Sequence, residues 1–436
     1  MHPRVLIVGT VPYNKKSTSR AFEAYFCHWE KENLAQIFSN TKAPCKGHCG
    51  TLYQITDQRI LKRWISPKVQ TGKIFNYEDL QQEWTDNDLE VGSNTANRLY
   101  RMGSKRTPLT HWLRGILWRK KFWCTRELQE WMDAFRPECV FLSFSDDFFI
   151  PEIALYAAQR YGIPIVSSIG DDYYFNTRFS VSPIYHLYKT AYRKLIRKVL
   201  SHPGSAIYIS DKIRDKYNQE FALDGETVYL TSTVKRKEFR PIDVAAPYIT
   251  YFGNIGAGRN ESLNEIGMAL GRINSEYTLH VYSNEQDEAV YGIFKNNPNI
   301  HFGGSIPYSE VQEKMNLSDV VVIVEGFRPE NVNLTRYSLS TKAADSLASG
   351  AAILTYGSPE CGIIEYMQST DASAVCTNKE QLESCIRNLF ENRKQQKHYY
   401  DRQILMTQQN HNLDRSSALF EEVVRRAINK VEKKHA

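Results

Sequence analysis

Short strand-forming runs alternate with longer helical stretches along the whole chain. The runs are rich in β-branched or aromatic residues, and the stretches between them carry apolar residues at helical spacing. This alternation predicts a parallel sheet with helices on both faces. In the first half, the predicted strands are residues 4–8, 35–38, 139–143, 163–167, 206–209 and 227–230, with one more after the turn at 45–50. The helices predicted between them include 153–161, 185–200 and 212–221, and residues 17–19 are the predicted N-cap of the first helix.

A second series of the same kind follows residues 241–247, a proline-bounded stretch without periodicity that we interpret as a linker. Its predicted strands are residues 248–253, 277–282, 300–302, 319–325, 351–356 and 374–377. We therefore predict an α/β fold with two Rossmann-like domains, residues 1–240 and 248–410, and a terminal helix within 411–436. Ligands of such sheets bind beyond the carboxyl ends of the strands. A cleft between two facing domains can hold two ligands.

Composition narrows the class of protein without naming a function. The 436 residues are 42% hydrophobic and 24% charged, which is typical of a soluble globular chain of two or three domains. The apolar run near the N-terminus is too short for a signal peptide, and no stretch approaches the ~20 apolar residues of a membrane span. Eight scattered cysteines favour reduced thiols. We expect a cytoplasmic protein.

The stretch from residue 337 to 350, followed by an apolar strand, predicts an anion site. A turn rich in serine and threonine precedes a short helix, where backbone N–H groups and the helix dipole favour negative charge. Lys342 adds a full positive charge beside the hydroxyls of Ser340 and Thr341. Asp345 lies one helical turn further on, at a distance suited to sugar hydroxyls. A capped surface helix explains the same spacing.

A second anion-binding loop is predicted between the first strand and first helix of the second series. Gly253, Gly256 and Gly258 allow the backbone to approach a ligand closely, and Arg259 begins the helix. Glycine-rich loops between a strand and a helix are common, so this pattern alone is weak. The first strand of the chain is followed by the single Gly9, without the GxGxxG spacing of dinucleotide-binding proteins. We therefore expect no nicotinamide cofactor.

Residues 340–342 have the sequence STK, an acid follows at Asp345, and the sequence LASG at 347–350 leads into a strand. This pattern resembles the donor-nucleotide region of GT-B glycosyltransferases, especially the family-4-like group of the bacterial surface-polysaccharide type. The resemblance implies that residues 248–410 bind the donor and that residues 1–240 bind the acceptor. It also implies that the final helix crosses back to the first domain. The residues that it assigns to the donor are Gly253, Asn254, Arg259, Ser340, Thr341, Lys342 and Asp345.

One feature departs from the family pattern. Many family-4 members have two glutamates eight positions apart, whereas this chain has Tyr337 at the first place and Asp345 at the second. The nearest upstream acids are Glu325 and Glu330, and we include Glu325 among the candidate catalytic residues together with Arg259 and Lys342. The resemblance favours transfer with retention of configuration. Because cationic side chains can stabilise the leaving group, the scheme requires no metal, and we expect no cofactor beyond the nucleotide-sugar substrate.

The first half contributes candidate residues for the acceptor. His48 lies in a turn between two glycines, where it can assist proton transfer or serve as a structural histidine. Asp172 follows a predicted strand, the place for a catalytic carboxylate, and the pair at 146–147 is a rival. Helix capping explains both acidic pairs equally simply. Cys45 and Cys49 flank His48, but a zinc site needs about four ligands and no second cluster stands at a usable spacing.

Two basic segments suggest a further partner. Residues 98–121 contain eight lysines and arginines and no acids, with Trp112, Trp118 and Trp123 close by, and residues 185–200 form a second basic helix. Such segments bind anionic membrane surfaces, although a solvated basic face is the simpler explanation. A net charge of +6 and the lack of a recognisable motif argue against nucleic acid.

Taken together, the sequence predicts a glycosyltransferase that moves a sugar from a nucleotide-diphosphate sugar to a saccharide or lipid-linked acceptor in surface polysaccharide synthesis. It would work in the cytoplasm, and the basic segments make the inner face of the membrane a candidate location. Two alternatives remain open. One is a nucleotide-sugar epimerase of the same fold, and the other is a non-catalytic protein that binds sugar or nucleic acid.

Overall fold

The computed structural model describes residues 1–12, 20–41, 43–81, 108–176 and 180–435. The chain divides into two compact units. The first unit contains the described residues up to Val228, except Asn176, together with those from Ser417 onwards, and the second contains Asn176 and Tyr229–Ser416. The predicted N-cap at residues 17–19 lies outside the described residues.

The first unit is built on an eight-stranded sheet in the order β4-β3-β2-β1-β5-β6-β7-β8. Every pairing is parallel except that of β3 with β4, which is antiparallel. The central strand β1 is fully buried, as expected for a sheet covered on both faces. The strands are β1 Val5–Val8, β2 Leu34–Phe38, β3 Thr51–Ile55, β4 Gly72–Asn76, β5 Cys139–Ser143, β6 Ile165–Ile169, β7 Gly204–Tyr208 and β8 Glu226–Thr227.

Helices connect these strands, and several begin at a side-chain cap. Thr56, Thr125 and Ser210 each accept a hydrogen bond from a backbone N–H in the first turn of the helix that follows. The helices are α1 Arg20–Phe26, α2 Asp57–Ile65, α3 Pro108–Leu117, α4 Lys120–Trp123, α5 Arg126–Phe135, α6 Phe149–Tyr161, α7 Pro183–Leu200 and α8 Asp211–Phe221.

The aromatic core of the first unit includes the end of the chain. Phe420 lies against Tyr25, Phe26, Trp29 and Phe141, with ring centroids between 4.9 and 5.5 Å apart. Its helix runs from Leu413 to His435. The C-terminal helix is therefore an integral part of the core built around β1 and β5.

The second unit contains a six-stranded, fully parallel sheet in the order β11-β10-β9-β12-β13-β14. The strands are β9 Ile249–Phe252, β10 Leu279–Tyr282, β11 Ile300–Gly304, β12 Val320–Val324, β13 Ala352–Tyr356 and β14 Ala374–Cys376. From β9 the chain first adds strands on one side and then returns to add β12 on the other. The strand order therefore reverses between β9 and β12, which is where open α/β sheets bind ligands.

The helices of the second unit cover both faces of this sheet. They are α9 Arg259–Ile273, α10 Glu288–Tyr291, α11 Tyr308–Leu317, α12 Pro329–Thr335, α13 Lys342–Ser349, α14 Gly362–Thr370, α15 Leu382–Glu391 and α16 Arg393–Gln409, and the long helix after them is α17. Residues 241–247 lie within this unit, where Ile242 is part of the core and its N–H donates to Gln396.

Both sheets with their flanking helices confirm the predicted α/β class. Among the described residues, we find no helix whose length and apolar character would let it cross a bilayer.

Candidate functional site

Two loops of the second unit meet where its strand order reverses. Gly253 directly follows β9, and Glu325 directly follows β12. The loops are in close contact, because a Cβ on Gly258 would lie 2.2 Å from the Asn331 amide nitrogen and 3.2 Å from the Gly326 Cα. The loop after β9 leads into α9, whose N-terminus therefore lies beside the end of β12.

Gly253 makes room for Lys342. Its φ of +118° belongs to a region that side chains disfavour, and a Cβ there would lie 2.5 Å from the Lys342 Cε and 3.0 Å from its Nζ. Lys342 therefore extends over the Gly253 backbone to the hydroxyl of Tyr251, to which Nζ donates at 2.5 Å. The Tyr251 hydroxyl in turn donates to the carbonyl of Asn254 at 2.5 Å. The two sequence-predicted loops thus converge on one ammonium group.

The surroundings of Lys342 disfavour its charge. Burial lowers its pKa from 10.5 to about 7, the neighbouring Arg259 acts in the same direction, and Glu325 only partly opposes them. A cation held in this way is ready to accept an anionic ligand, because added negative charge restores its preference for the proton.

Arg259 and Glu325 form a buried ion pair. The Arg259 Nη2 lies 2.9 Å from the Glu325 Oε1, and the two side chains are 17% and 4% exposed. Burial acts against the charge of Arg259, but the opposite charge of Glu325 leads the interactions that hold its pKa above the ordinary value. Ser262 also donates to the Glu325 backbone carbonyl at 2.8 Å. Glu325 therefore fixes the loop after β12 against the start of α9.

This ion pair leaves polar atoms unused. The Arg259 Nε and the Glu325 Oε2 are buried and have no hydrogen-bond partner in the described part of the chain. A buried polar atom without a partner calls for an explanation, such as a bound water, ion or ligand. Here the free groups are one donor on a cation and one carboxylate acceptor, beside a second cation. The cluster can bind an anion and accept a hydrogen bond from a hydroxyl.

Helix α13 carries the remaining donor residues of the sequence prediction. The Ser340 hydroxyl accepts a hydrogen bond from the Lys342 N–H at 3.3 Å, whereas Thr341 is exposed and its side chain makes no capping bond. Asp345 is buried, and it accepts from Ser232 at 2.6 Å and from Tyr308 at 3.4 Å. The helix is buried from its second residue onwards, so it is not a capped surface helix.

Asp172 of the first unit is the centre of a turn. Its Oδ1 accepts from the N–H groups of Tyr174 and Phe175, at 3.1 and 2.8 Å, and from the Tyr217 hydroxyl at 3.0 Å. Burial, and after it the charge of Asp172, raises the pKa of Tyr217 well above its ordinary value. The rival Asp147 is bound to Arg114 at 2.6 Å. These contacts account structurally for both acids, and a catalytic role for Asp172 stays a prediction.

His48 lies in a small cavity of the first unit. The cavity is also lined by Phe22, Gln36, Cys45, Gly47, Cys49 and Leu52. Burial lowers the pKa of His48, and the negative charge of Glu23 partly opposes this shift. The described residues contain no cluster of three or more histidine, cysteine or acidic side chains arranged to hold a metal ion. A role for His48 towards an acceptor stays a prediction.

Tyr251 is the member of the cluster that sequence reasoning missed. Its ring packs under the Lys342 ammonium at 4.3 Å, and burial raises the pKa of its hydroxyl, so the phenol stays neutral. A tyrosine within a strand reads as an ordinary core residue. The one available signal was its position two residues before Gly253, at the carboxyl end of β9.

Comparisons with known proteins identify the fold. No protein-family model matches the chain, and no curated protein matches it. Sucrose-phosphate synthase from Thermosynechococcus elongatus matches with a TM-score of 0.59 and 9% identity, over 99% of this chain and 100% of that one. HepE from Anabaena, in complex with UDP-glucose, matches with a TM-score of 0.58 and 10% identity, over 97% and 100%.

A partial match completes the comparison. TarM matches with a TM-score of 0.49 and 9% identity, over 68% of this chain and 57% of its own length. The two full-length matches show that the chain has the GT-B fold, as the sequence resemblance implied.

Proposed function

We propose that the chain is a glycosyltransferase that takes its sugar from a nucleotide-diphosphate sugar bound to the second unit. One observation carries this proposal. Lys342 and Arg259 converge with the single carboxylate of Glu325 at the point where the strand order reverses. Two cations and one carboxylate leave an excess of positive charge, which a diphosphate would neutralise.

The same charges suit the chemistry of sugar transfer. When the bond between the sugar and the diphosphate breaks, negative charge develops on the departing phosphate oxygen. Lys342, Arg259 and the N–H groups at the start of α9 are fixed before the reaction, so they stabilise this charge without reorganising. Removing one such stabiliser typically costs about a hundredfold to a thousandfold in turnover. In this scheme, cationic side chains do the work that a metal ion performs in other transferases.

The carboxylates provide acceptors for hydroxyl groups. We assign the buried Glu325 Oε2, which lacks a partner among the described residues, to a hydroxyl of the donor sugar. Asp345 is assigned to the ribose. Its carboxylate is buried and accepts hydrogen bonds from Ser232 and Tyr308, and a carboxylate oxygen can accept more than one hydrogen bond. HepE, a protein of the same fold, was crystallised with UDP and with UDP-glucose, which supports a uridine nucleotide as the first donor to test.

The finer parts of the proposal concern the acceptor and the outcome. We propose a saccharide or lipid-linked acceptor, with Asp172 and His48 as candidate residues on its side, and a role in surface polysaccharide synthesis. Transfer would retain the configuration of the sugar and need no metal. The sequence resemblance supports an acceptor on this side and retention of configuration, whereas Asp172 and His48 are candidates because of their positions in the sequence. Because an epimerase or a non-catalytic binder would use the same nucleotide site, the acceptor has to be tested separately from the donor.

The first prediction concerns nucleotide binding. One nucleoside diphosphate from a panel of UDP, GDP and ADP should raise the unfolding temperature, since a ligand at about 100 times its Kd adds about 2.7 kcal/mol of stability. The shift should disappear in Lys342→Met and persist in Lys394→Met, which replaces an exposed lysine of the same unit. If no nucleotide raises the unfolding temperature of the wild type, or if both variants respond alike, the assignment of the donor site is wrong. Sugar transfer to acceptors, followed by product analysis, then separates a transferase from an epimerase and from a binder.

The second prediction concerns pH. An anionic ligand needs the protonated ammonium of Lys342, whose pKa in the free protein is about 7. The contribution of Lys342 to the affinity for UDP should therefore be constant at pH values below this pKa. Above it, the affinity should fall about tenfold per pH unit. Titration calorimetry near pH 8 in buffers of different ionisation enthalpy should show an uptake of about one proton on binding. The terminal phosphate of UDP, with a pKa near 6, is already ionised there. Binding without proton uptake would contradict the assignment of Lys342.

A further inference from the structure

The structure revises which aromatic residues of the basic segments face solvent. Trp118 and Trp123 are buried, contrary to the prediction that they lie at a membrane surface. Trp118 stacks on Phe149 with ring centroids 3.7 Å apart, and its indole N–H donates to Asp57 at 2.6 Å. Both side chains therefore belong to the core, while Trp112 remains 47% exposed. Residues 98–107 of the basic segment lie outside the described residues.

Three neighbouring helices of the first unit expose large apolar side chains instead. Helix α3 contacts both α2 and α7. Seven of the 19 exposed large apolar residues in the described chain lie on these three helices. We call them the apolar patch: Leu61, Trp64, Ile65, Trp112, Leu113, Ile184 and Leu187. The most exposed are Ile65 at 81% and Leu187 at 69%.

Exposed cations surround one end of this patch. Trp64 stacks on Phe122 of α4 with ring centroids 4.8 Å apart, and its indole N–H donates to the Leu117 carbonyl at 3.0 Å. These contacts place the end of α2 beside α4. The exposed cations on and next to these two helices are Lys62, Lys68, Arg119, Lys120 and Lys121.

The helices that carry the apolar patch contain few acidic residues. Helices α3, α4 and α7 contain no acidic residue, and α2 contains only Asp57. The Asp57 carboxylate is bound to Arg114, with the Arg114 Nε 3.2 Å from its Oδ2, and Arg114 also binds Asp147. Basic residues therefore outnumber acidic residues on the helices that carry the apolar patch.

We infer that the apolar patch and the cations around it dock the first unit onto an anionic lipid bilayer. A bilayer satisfies both features, because its acyl region buries the aliphatic side chains and its headgroups attract the cations. Nucleic acid would bind the cations and stack on the tryptophans, but it would leave Ile65, Leu113 and Leu187 in water. The combination of aliphatic and cationic groups on one surface thus favours lipid over a polyanion.

Co-sedimentation with vesicles tests the cations. The full-length protein should bind vesicles of phosphatidylcholine mixed with phosphatidylglycerol and should not bind phosphatidylcholine alone. Reversing Arg119, Lys120 and Lys121 to glutamate should lower partitioning by about a hundredfold or more, since each cation near such a surface contributes roughly fivefold. The control reverses Lys235, Arg240 and Lys394, three exposed cations of the second unit, and should bind like the wild type.

A second pair of variants tests the apolar contribution. Ile65→Glu should reduce partitioning by about tenfold or more, because it removes an aliphatic group that the bilayer would bury and adds a charge that anionic headgroups repel. Leu317→Glu, at a residue of the second unit that is 65% exposed, should leave partitioning unchanged. Loss in the cation variant alone, accompanied by binding to single-stranded nucleic acid, would overturn the inference. A wild type that dimerises through this surface and becomes a monomer in Ile65→Glu would overturn it as well.

This inference is independent of the proposed donor site. The thermal response to nucleotides depends on the second unit, so it should be the same in the wild type and in Ile65→Glu. Vesicle binding with no nucleotide response would support the docking surface and contradict the donor site, and the reverse result would contradict the docking surface alone.

Discussion

Replacing Lys342 with methionine should slow sugar transfer by about a hundredfold while making the ligand-free protein harder to unfold. Turnover falls because the departing diphosphate loses one of two fixed cations. Stability rises because methionine fills similar space without the cost of a poorly solvated charge next to Arg259. The folded-state pKa of Lys342, about 7, lies below its ordinary 10.5, so between these values the unfolded chain binds the proton more strongly. The stability of the wild type therefore rises with pH across this window, and the advantage of the variant should be greatest at or below pH 7.

Turnover and thermal unfolding of the same preparations separate a binding role from a structural one. Lys342→Met should show slower transfer and a higher unfolding temperature, and the difference in temperature should shrink as the pH rises from 7 towards 10. Lys394→Met should match the wild type in both measurements. Turnover within a factor of two of the wild type would refute the role of Lys342. A lower unfolding temperature would show that its bond to Tyr251 outweighs the cost of its charge.

Glu325→Gln should lower the free energy of unfolding of the second unit by about 3–5 kcal/mol, the usual result of removing one partner of a buried ion pair. Glu325 is the carboxylate that offsets both Arg259 and Lys342. Without it, two neighbouring cations remain in a poorly solvated site. The pKa of Lys342 should fall further, so that nucleotide binding at neutral pH weakens as well.

Two comparisons make this result interpretable. Glu360→Gln removes the carboxylate of a solvent-accessible pair with Arg336, and it should cost less than about 1 kcal/mol. The double variant Glu325→Gln/Lys342→Met should recover part of the loss, because one of the two cations is gone. Urea unfolding of the wild type, the two single variants and the double variant measures these free energies of unfolding. A loss in Glu325→Gln no larger than in Glu360→Gln would show that Glu325 does not stabilise the cluster.

The strands of both units were largely predictable because buried parallel strands leave a strong apolar signal. The β5 strand begins and ends as predicted, and most others shift by one or two residues. The antiparallel β4 was missed, since Gly72–Asn76 is an edge strand with few apolar residues and exposed positions. The predicted strand at 227–230 is paired only over Glu226–Thr227. Val228 and Leu230 are buried without extending the sheet, because burial selects apolar residues in loops and strands alike.

The candidate site was only partly predictable from the sequence. Gly253, Arg259 and Lys342 were recognisable because loop geometry and charge leave local patterns. Their convergence is a tertiary property, which depends on β9 and β12 being neighbours in the sheet. Tyr251 carried no sign of its role beyond its position two residues before Gly253, at the carboxyl end of β9. Asp172 is the opposite case, because its position after a strand suggested a catalytic role. In the structure its carboxylate accepts hydrogen bonds from its own turn and from Tyr217.

The position of Phe420 in the first unit has a consequence for biosynthesis. A ribosome releases the continuous Tyr229–Ser416 segment of the second unit before it releases Phe420 and the rest of α17. Until then, the nascent first unit lacks the ring against which Tyr25, Phe26, Trp29 and Phe141 pack. Domains usually complete folding from the N-terminus during translation. In this chain the order is reversed, because the unit that begins to emerge first is the last to receive its full core.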